Sequence, residues 1–225
     1  MTPLSHPSPN CEPRRAPVVD MLVIHYTGMA DGPSALARLC DAEAKVSAHY
    51  LIEEDGRVFA LVPEDMRAWH AGASSWRGET DVNSRSIGVE LVNPGHEFGY
   101  RAFPAAQIAA LITLAAGIIG RHPIPPRNVV GHSDIAPTRK QDPGELFPWQ
   151  ELAEVHGIGL WPCGEPTDLP PEHVLLAGLA HAGYDLTDPK AAVTAFQRHF
   201  RPWKVDGHVD AETMGRLRSL LRVLR

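Results

Sequence analysis

The sequence predicts an α/β fold, with a mixed β-sheet flanked by helices and a small C-terminal three-helix domain. Three observations predict it. Short apolar runs rich in β-branched residues are interspersed with longer helical patterns, as in a sheet with helices packed on it. Residues 157–171 hold three glycines and four prolines, a composition shift that reads as an interdomain linker. Residues 172–225 then carry three short helical patterns.

Taken in order, residues 1–17 are proline-rich and polar and are expected to form a flexible arm. Residues 18–26 are a near-continuous apolar run, the pattern of a strand buried on both faces. Pro33 stands where a proline opens a helix, expected over residues 34–44. Residues 47–53 and 57–62 read as strands joined at Asp55-Gly56, a strong hairpin signal. Residues 74–85 are polar and turn-rich and read as a loop, and residues 86–92 form another apolar strand. The longest helical pattern covers residues 104–121 and is stopped by Pro123. A short strand at 127–130, a shaped loop and a closing helix at 147–155 complete the main domain, taken as residues 18–156. The last helices are expected at 172–182, 189–200 and 210–223, with Asp210 as N-cap of the third.

Bulk properties narrow the function classes. The 225 residues suffice for one medium domain and one small one. A net charge of −6 gives no electrostatic footprint for nucleic acid. No apolar stretch is long enough to span a membrane. No apolar run follows a basic start in MTPLSHPSPNCEPRR, so a cytoplasmic location is expected; an export signal removed from the N-terminus is the alternative. Cys11, Cys40 and Cys163 lie far apart, with no ligand spacing, and read as free thiols.

The chemistry concentrates in residues 131–144, GHSDIAPTRKQDPG. Pro137 and Pro143 exclude a regular helix or a central strand there, so the segment is read as a shaped loop. His132 and Asp142 suit Zn2+, and a catalytic zinc takes three protein ligands and keeps one position open. The third candidate is His25, at the end of the first long strand. Glu90 interrupts the apolar run 87–92, where burying a carboxylate is costly unless it is paired or functional. It is the candidate general base, with a pKa raised by burial. Lys140, two residues before Asp142, is the candidate for placing a positive charge beside a developing oxyanion.

LVIHYT, SAHYLI, AWHAG, IGVELVNPG and GHSDIAPTRKQDPG occur in that order. This set resembles the zinc-dependent N-acetylmuramoyl-L-alanine amidases of the amidase-2 group, related to T7-type lysozyme and peptidoglycan recognition proteins. The resemblance covers roughly residues 18–155. It implies that His25, His132 and Asp142 bind zinc and that Glu90 and Lys140 are catalytic. It also implies a substrate cleft formed by segments containing His49, Trp69, His70 and Asn93, with Trp69 equally readable as core packing. Tyr26, next to a ligand, is expected to orient it or to hold the substrate carbonyl. Ser133 and Asp134 are expected to shape the ligand loop. Residues 192–213 resemble a small peptidoglycan-binding helical domain, which binds glycan or completes the groove. The expected partners are peptidoglycan fragments. The implied reaction is hydrolysis of the bond between the lactyl group of N-acetylmuramic acid and L-alanine. It would serve cell-wall recycling, or, alternatively, act on intact peptidoglycan. Relatives that only bind lack one or more of the zinc ligands, whereas all three are present here.

Overall fold

The computed structural model describes residues 2–16 and 18–224; Met1 and Pro17 of the expected arm, and Arg225, lie outside the described residues. The strands are β1 (Leu4–Ser5), β2 (Cys11–Pro13), β3 (Met21–Tyr26), β4 (Tyr50–Ile52), β5 (Val58–Ala60), β6 (Met66–Ala68), β7 (Ser86–Leu91) and β8 (Val129–Gly131). The helices are α1 (Gly32–Leu39), α2 (Val82–Arg85), α3 (Gly95–Phe98), α4 (Ala105–Arg121), α5 (His132–Ile135), α6 (Trp149–His156), α7 (Glu172–Ala182), α8 (Pro189–Phe200) and α9 (Ala211–Val223). Six strands form one mixed sheet in the order β1-β5-β4-β7-β3-β8, and β2 pairs with β6 in a separate ribbon.

The central strands β4, β7, β3 and β8 are parallel to one another. Parallel strands are covered on both faces, which accounts for the unbroken apolar runs of β3 and β7. Alternation along β3 sends Leu22 and Ile24 into a core built with α4, including Ile108, Leu111 and Ile118. Met21 and Val23 go to the opposite face, where they share a core with Leu179, Phe196 and Leu217 of the C-terminal helices. His25 follows on that second face, beside Glu90 in the β3–β7 register. The expected hairpin is present: β4 and β5 are antiparallel, and Gly56 at φ 89° makes the turn.

The expected flexible arm is instead ordered over its described part. β1 adds to the sheet edge and β2 pairs with Cys11 opposite Ala68. Asn10 Nδ2 donates to the carbonyls of Asp41 and Val46, both at 2.8 Å. The Arg14 guanidinium donates to the carbonyls of Glu64 (2.9 Å), Ser84 (3.0 Å) and Ser86 (3.0 Å). Side chain-to-backbone bonds of this kind leave no trace in composition, because their acceptors are carbonyls distant in the chain. Residues 157–171 are likewise packed: Thr167 N–H donates to Ala211 O at 3.0 Å, next to α9, and Ile158 is buried in the core shared with α4 and α6. No helix among the described residues is long and apolar enough to cross a membrane.

Glu64 ties the end of α4 to Tyr50 at the start of β4. Its carboxylate accepts from Arg121 Nη2 (2.7 Å), Tyr50 Oη (2.8 Å) and His122 Nε2 (2.8 Å). Burial opposes ionisation, but these donors, Arg121 foremost, hold its pKa down to about 2. A depressed carboxylate stabilises the fold above its unfolded pKa, and that contribution is lost as pH falls through the folded value. Glu64→Gln is therefore expected to cost about 1.5–3 kcal/mol at neutral pH. The deficit should shrink from about pH 4.5 to about pH 2. Denaturant unfolding at pH 7 and pH 3 checks this, and an equal deficit at both would refute it.

Candidate active site

Three side chains converge at the C-terminal ends of the parallel strands. His25 ends β3, His132 starts α5 directly after β8, and Asp142 lies in the following loop. Their Nδ1, Nδ1 and Oδ2 atoms form a nearly equilateral triangle, with sides of 2.9 Å (His25–His132), 3.0 Å (His25–Asp142) and 3.0 Å (His132–Asp142). All three residues are buried, at 1%, 4% and 5% exposure.

The outward-facing ring nitrogens assign the tautomers. His132 Nε2–H donates to Ala71 O at 3.1 Å, which leaves Nδ1 with its lone pair pointing into the triangle. His25 is set by a longer chain. Ser86 O–H donates to Val82 O (2.7 Å), His70 Nε2–H donates to Ser86 Oγ (3.1 Å), and His25 Nε2–H donates to His70 Nδ1 (3.0 Å). His25 Nδ1 therefore also presents a lone pair. Burial, with His132 adding to it, lowers the His25 pKa to about 4, so its ring is neutral at neutral pH. Two imidazole lone pairs and a carboxylate oxygen aimed at one point suit a divalent cation.

Backbone packing permits this geometry at two glycines. A Cβ on Gly88 would lie 2.4 Å from the His70 ring, and one on Gly131 would lie 2.6 Å from Pro143 Cδ. Neither position has room for a side chain, so His70 can reach His25 and the ligand loop can close on β8.

The triangle lies in a cleft of ≈ 430 Å³ lined by Tyr26, Trp69, His70, Glu90 and Lys140 as well as by His132 and Asp142. Glu90 is only partly exposed, and its Oε2 is buried without a hydrogen-bond partner. Burial, then the Asp142 charge, pushes its pKa well above the usual carboxylate value, with Lys140 pulling the other way. The family model described as N-acetylmuramoyl-L-alanine amidase (Amidase_2) matches residues 14–145, which hold this whole arrangement.

The chain belongs to the N-acetylmuramoyl-L-alanine amidase family.

It is 44% identical to the N-acetylmuramoyl-L-alanine amidase AmiD of Escherichia coli, over 91% of this chain and 83% of that protein. It is 40% identical to the 1,6-anhydro-N-acetylmuramyl-L-alanine amidase AmpD of Escherichia coli, over 59% of this chain and 69% of that protein. Among solved structures, Escherichia coli AmiD in complex with anhydro-N-acetylmuramic acid-L-Ala-D-γ-Glu-L-Lys superposes with a TM-score of 0.83 at 42% identity, covering 94% of this chain and 93% of that one. AmpDh3 from Pseudomonas aeruginosa in complex with anhydromuramic pentapeptide gives 0.84 at 38% identity, covering 91% and 92%.

Two residues expected in the substrate cleft of this amidase lie elsewhere. His49 is fully buried behind it; its Nδ1 accepts from Gly88 N–H (2.9 Å) and its Nε2 donates to Met66 O (3.1 Å). Both ring nitrogens serve the scaffold, and burial lowers its pKa to about 3. Asn93 is likewise fully buried, donating to Arg101 O (2.8 Å) and accepting from Gly95 N–H (3.0 Å), so it shapes the loop after β7. The sequence reading missed His96, which lines the cleft. Its Nε2–H donates to Glu145 (3.1 Å), leaving Nδ1 to accept from Tyr26 O–H (2.9 Å). His96 follows a Pro-Gly turn, and no local spacing ties it to Tyr26, 70 residues away. The segment read as a loop after β8 opens instead with the helical turn α5, which ends before Pro137.

Proposed function

We propose that His25, His132 and Asp142 hold Zn2+, and that the amidase uses it to release the stem peptide from N-acetylmuramic acid, with anhydro-muropeptides as its substrates. The observation that carries this reading is the triangle of proton-free donor atoms beside the unpaired Glu90 oxygen, at one end of an open cleft. Zinc held there supplies acidification of a water molecule and polarisation of the amide carbonyl. Glu90 is the proton carrier: it takes a proton from the attacking water and delivers it to the leaving nitrogen of L-alanine. A pKa raised by burial favours holding that proton between the two halves of the task. Lys140 places an ammonium beside the oxygen that gains negative charge. Tyr26, Trp69 and His70 border the bound substrate, and His70 also fixes the ring of His25.

The anhydro sugar is supported by the ligands in the AmiD and AmpDh3 complexes. We place the enzyme in cytoplasmic cell-wall recycling. Action on intact peptidoglycan is the second reading. It is favoured by the C-terminal helices, where residues 192–213 resemble a small peptidoglycan-binding domain. The zinc-loaded protein, incubated separately with an anhydro-disaccharide-tetrapeptide and with sacculi, decides between them by mass analysis of the products. Fast peptide release from the soluble fragment with little from sacculi is expected. Efficient stripping of sacculi would reverse the assignment.

A further inference from the structure

Two side chains from the C-terminal helical region end on a residue of the metal loop. Asp134 in α5 is 1% exposed, and its carboxylate accepts three hydrogen bonds. Gly131 N–H donates to Oδ2 at 2.7 Å, which closes the turn that begins with His132. His199 Nδ1–H, from α8, donates to the same oxygen at 2.7 Å. Tyr184 O–H, from the loop after α7, donates to Oδ1 at 2.8 Å. Tyr184 and His199 are themselves 3% and 4% exposed. The His199 ring stacks on Trp149 (centroids 3.9 Å apart, planes 17° from parallel) and on Phe200 (4.0 Å, 13°).

A helix of a single turn has no stability of its own, so outside contacts must set its orientation. A carboxylate this deeply buried keeps its place only while donors compensate its lost hydration. Two of the three donors to Asp134 come from beyond residue 171. The same turn carries His132 and is joined to the third ligand by Ser133 N–H donating to Asp142 O at 2.9 Å. Displacement of Asp134 toward water would therefore move two of the three ligands together.

We propose that the C-terminal helical region is a positioning element of the metal site: Tyr184 and His199 hold Asp134, and Asp134 holds the turn that presents His132. The effect on metal affinity rests on the zinc reading above; the effect on the turn does not. The resemblance to a wall-binding domain does not account for this contact, which points inward from the helices to the reaction centre.

The test uses the full-length protein with Tyr184→Phe, His199→Leu, His199→Asn and Leu217→Ala. Leu217 is buried among the C-terminal helices, and its truncation loosens them while leaving the donors to Asp134 in place. Two quantities are read: the zinc dissociation constant by competition with a chromophoric chelator, and amide hydrogen exchange over residues 131–142 in the metal-free protein. Tyr184→Phe and His199→Leu are expected to weaken zinc about tenfold. They should also speed exchange at Ser133 and Ala136 by a similar factor. His199→Asn, which keeps a donor near the Nδ1 position, should recover most of both. Leu217→Ala should lower Tm and change neither. The proposal is overturned if Tyr184→Phe leaves both readouts unchanged, if His199→Asn fares no better than His199→Leu, or if Leu217→Ala shifts them as much. If the wild type fails to bind zinc, the zinc reading falls, and exchange in the metal-free protein still tests the clamp.

Discussion

Glu90→Gln is expected to keep its zinc and to lose roughly 100- to 10,000-fold in kcat, the usual contribution of a positioned general base. Glutamine preserves the shape of the side chain on β7 but cannot accept and return a proton. KM should change little, because the lost interaction belongs to the transition state. Stability moves in the opposite direction from activity. The buried Oε2 has no partner, and burial raises the Glu90 pKa well above about 4.5, its ordinary value. The folded state therefore retains this proton to a higher pH than the unfolded chain. Stability tied to it is fully present below about pH 4.5 and is lost as pH rises through the elevated folded value. In the metal-free protein Glu90→Gln escapes that loss, so it should be at least as stable as wild type at pH 7, with the advantage gone at pH 4. An unaltered rate would remove Glu90 as the base. Thermal unfolding of the metal-free wild type and variant at pH 7 and pH 4 checks the stability claim and would reveal a variant that is inactive because it has unfolded.

Asp142→Ala is expected to abolish zinc retention and reduce turnover to background. A substitution one shell further out costs about 10- to 100-fold in metal affinity, so loss of a direct ligand should exceed roughly 100-fold. Asp142 also supplies the negative charge of the ligand set. Its Oδ2 lies 3.0 Å from both His25 Nδ1 and His132 Nδ1, and without it those two nitrogens face each other at 2.9 Å with nothing between. His132→Ala should behave alike. Metal analysis after gel filtration, paired with an assay on an anhydro-muropeptide, checks both. Full turnover by a zinc-free variant would sink the metal assignment, whereas zinc retention without turnover would move Asp142 from ligand to catalyst.

Different parts of this molecule were legible to different degrees. The helices after residue 171 match their expected limits almost residue for residue, because each carries local punctuation. Asp188 and Asp210 accept from Ala191 N–H and Thr213 N–H, both at 3.0 Å, and Gly183 ends α7. The strands β3 and β7 were visible as apolar runs, and Glu90 stood out because it interrupts one. The arm was misread because its order comes from Asn10 and Arg14 bonding to carbonyls 31 to 72 residues away. His49 and His70 looked equivalent as histidines in neighbouring motifs. Only packing separates them, His49 to the backbone of β7 and His70 to the candidate ligand His25.

By itself, then, the chain determined its α/β class, the identity of the three metal-ligand candidates and the unusual carboxylate at Glu90. The class and Glu90 follow from residue chemistry set against a local apolar pattern, which one-dimensional reading can detect, and the ligand set from that chemistry together with the resemblance carried by five ordered motifs. Tertiary structure alone decided which nitrogen of each histidine faces the metal position, which expected cleft residues serve the scaffold, and that Tyr184 and His199 reach Asp134. Those outcomes depend on directional bonds between groups far apart in sequence, whose partners exist only once the sheet has brought them together.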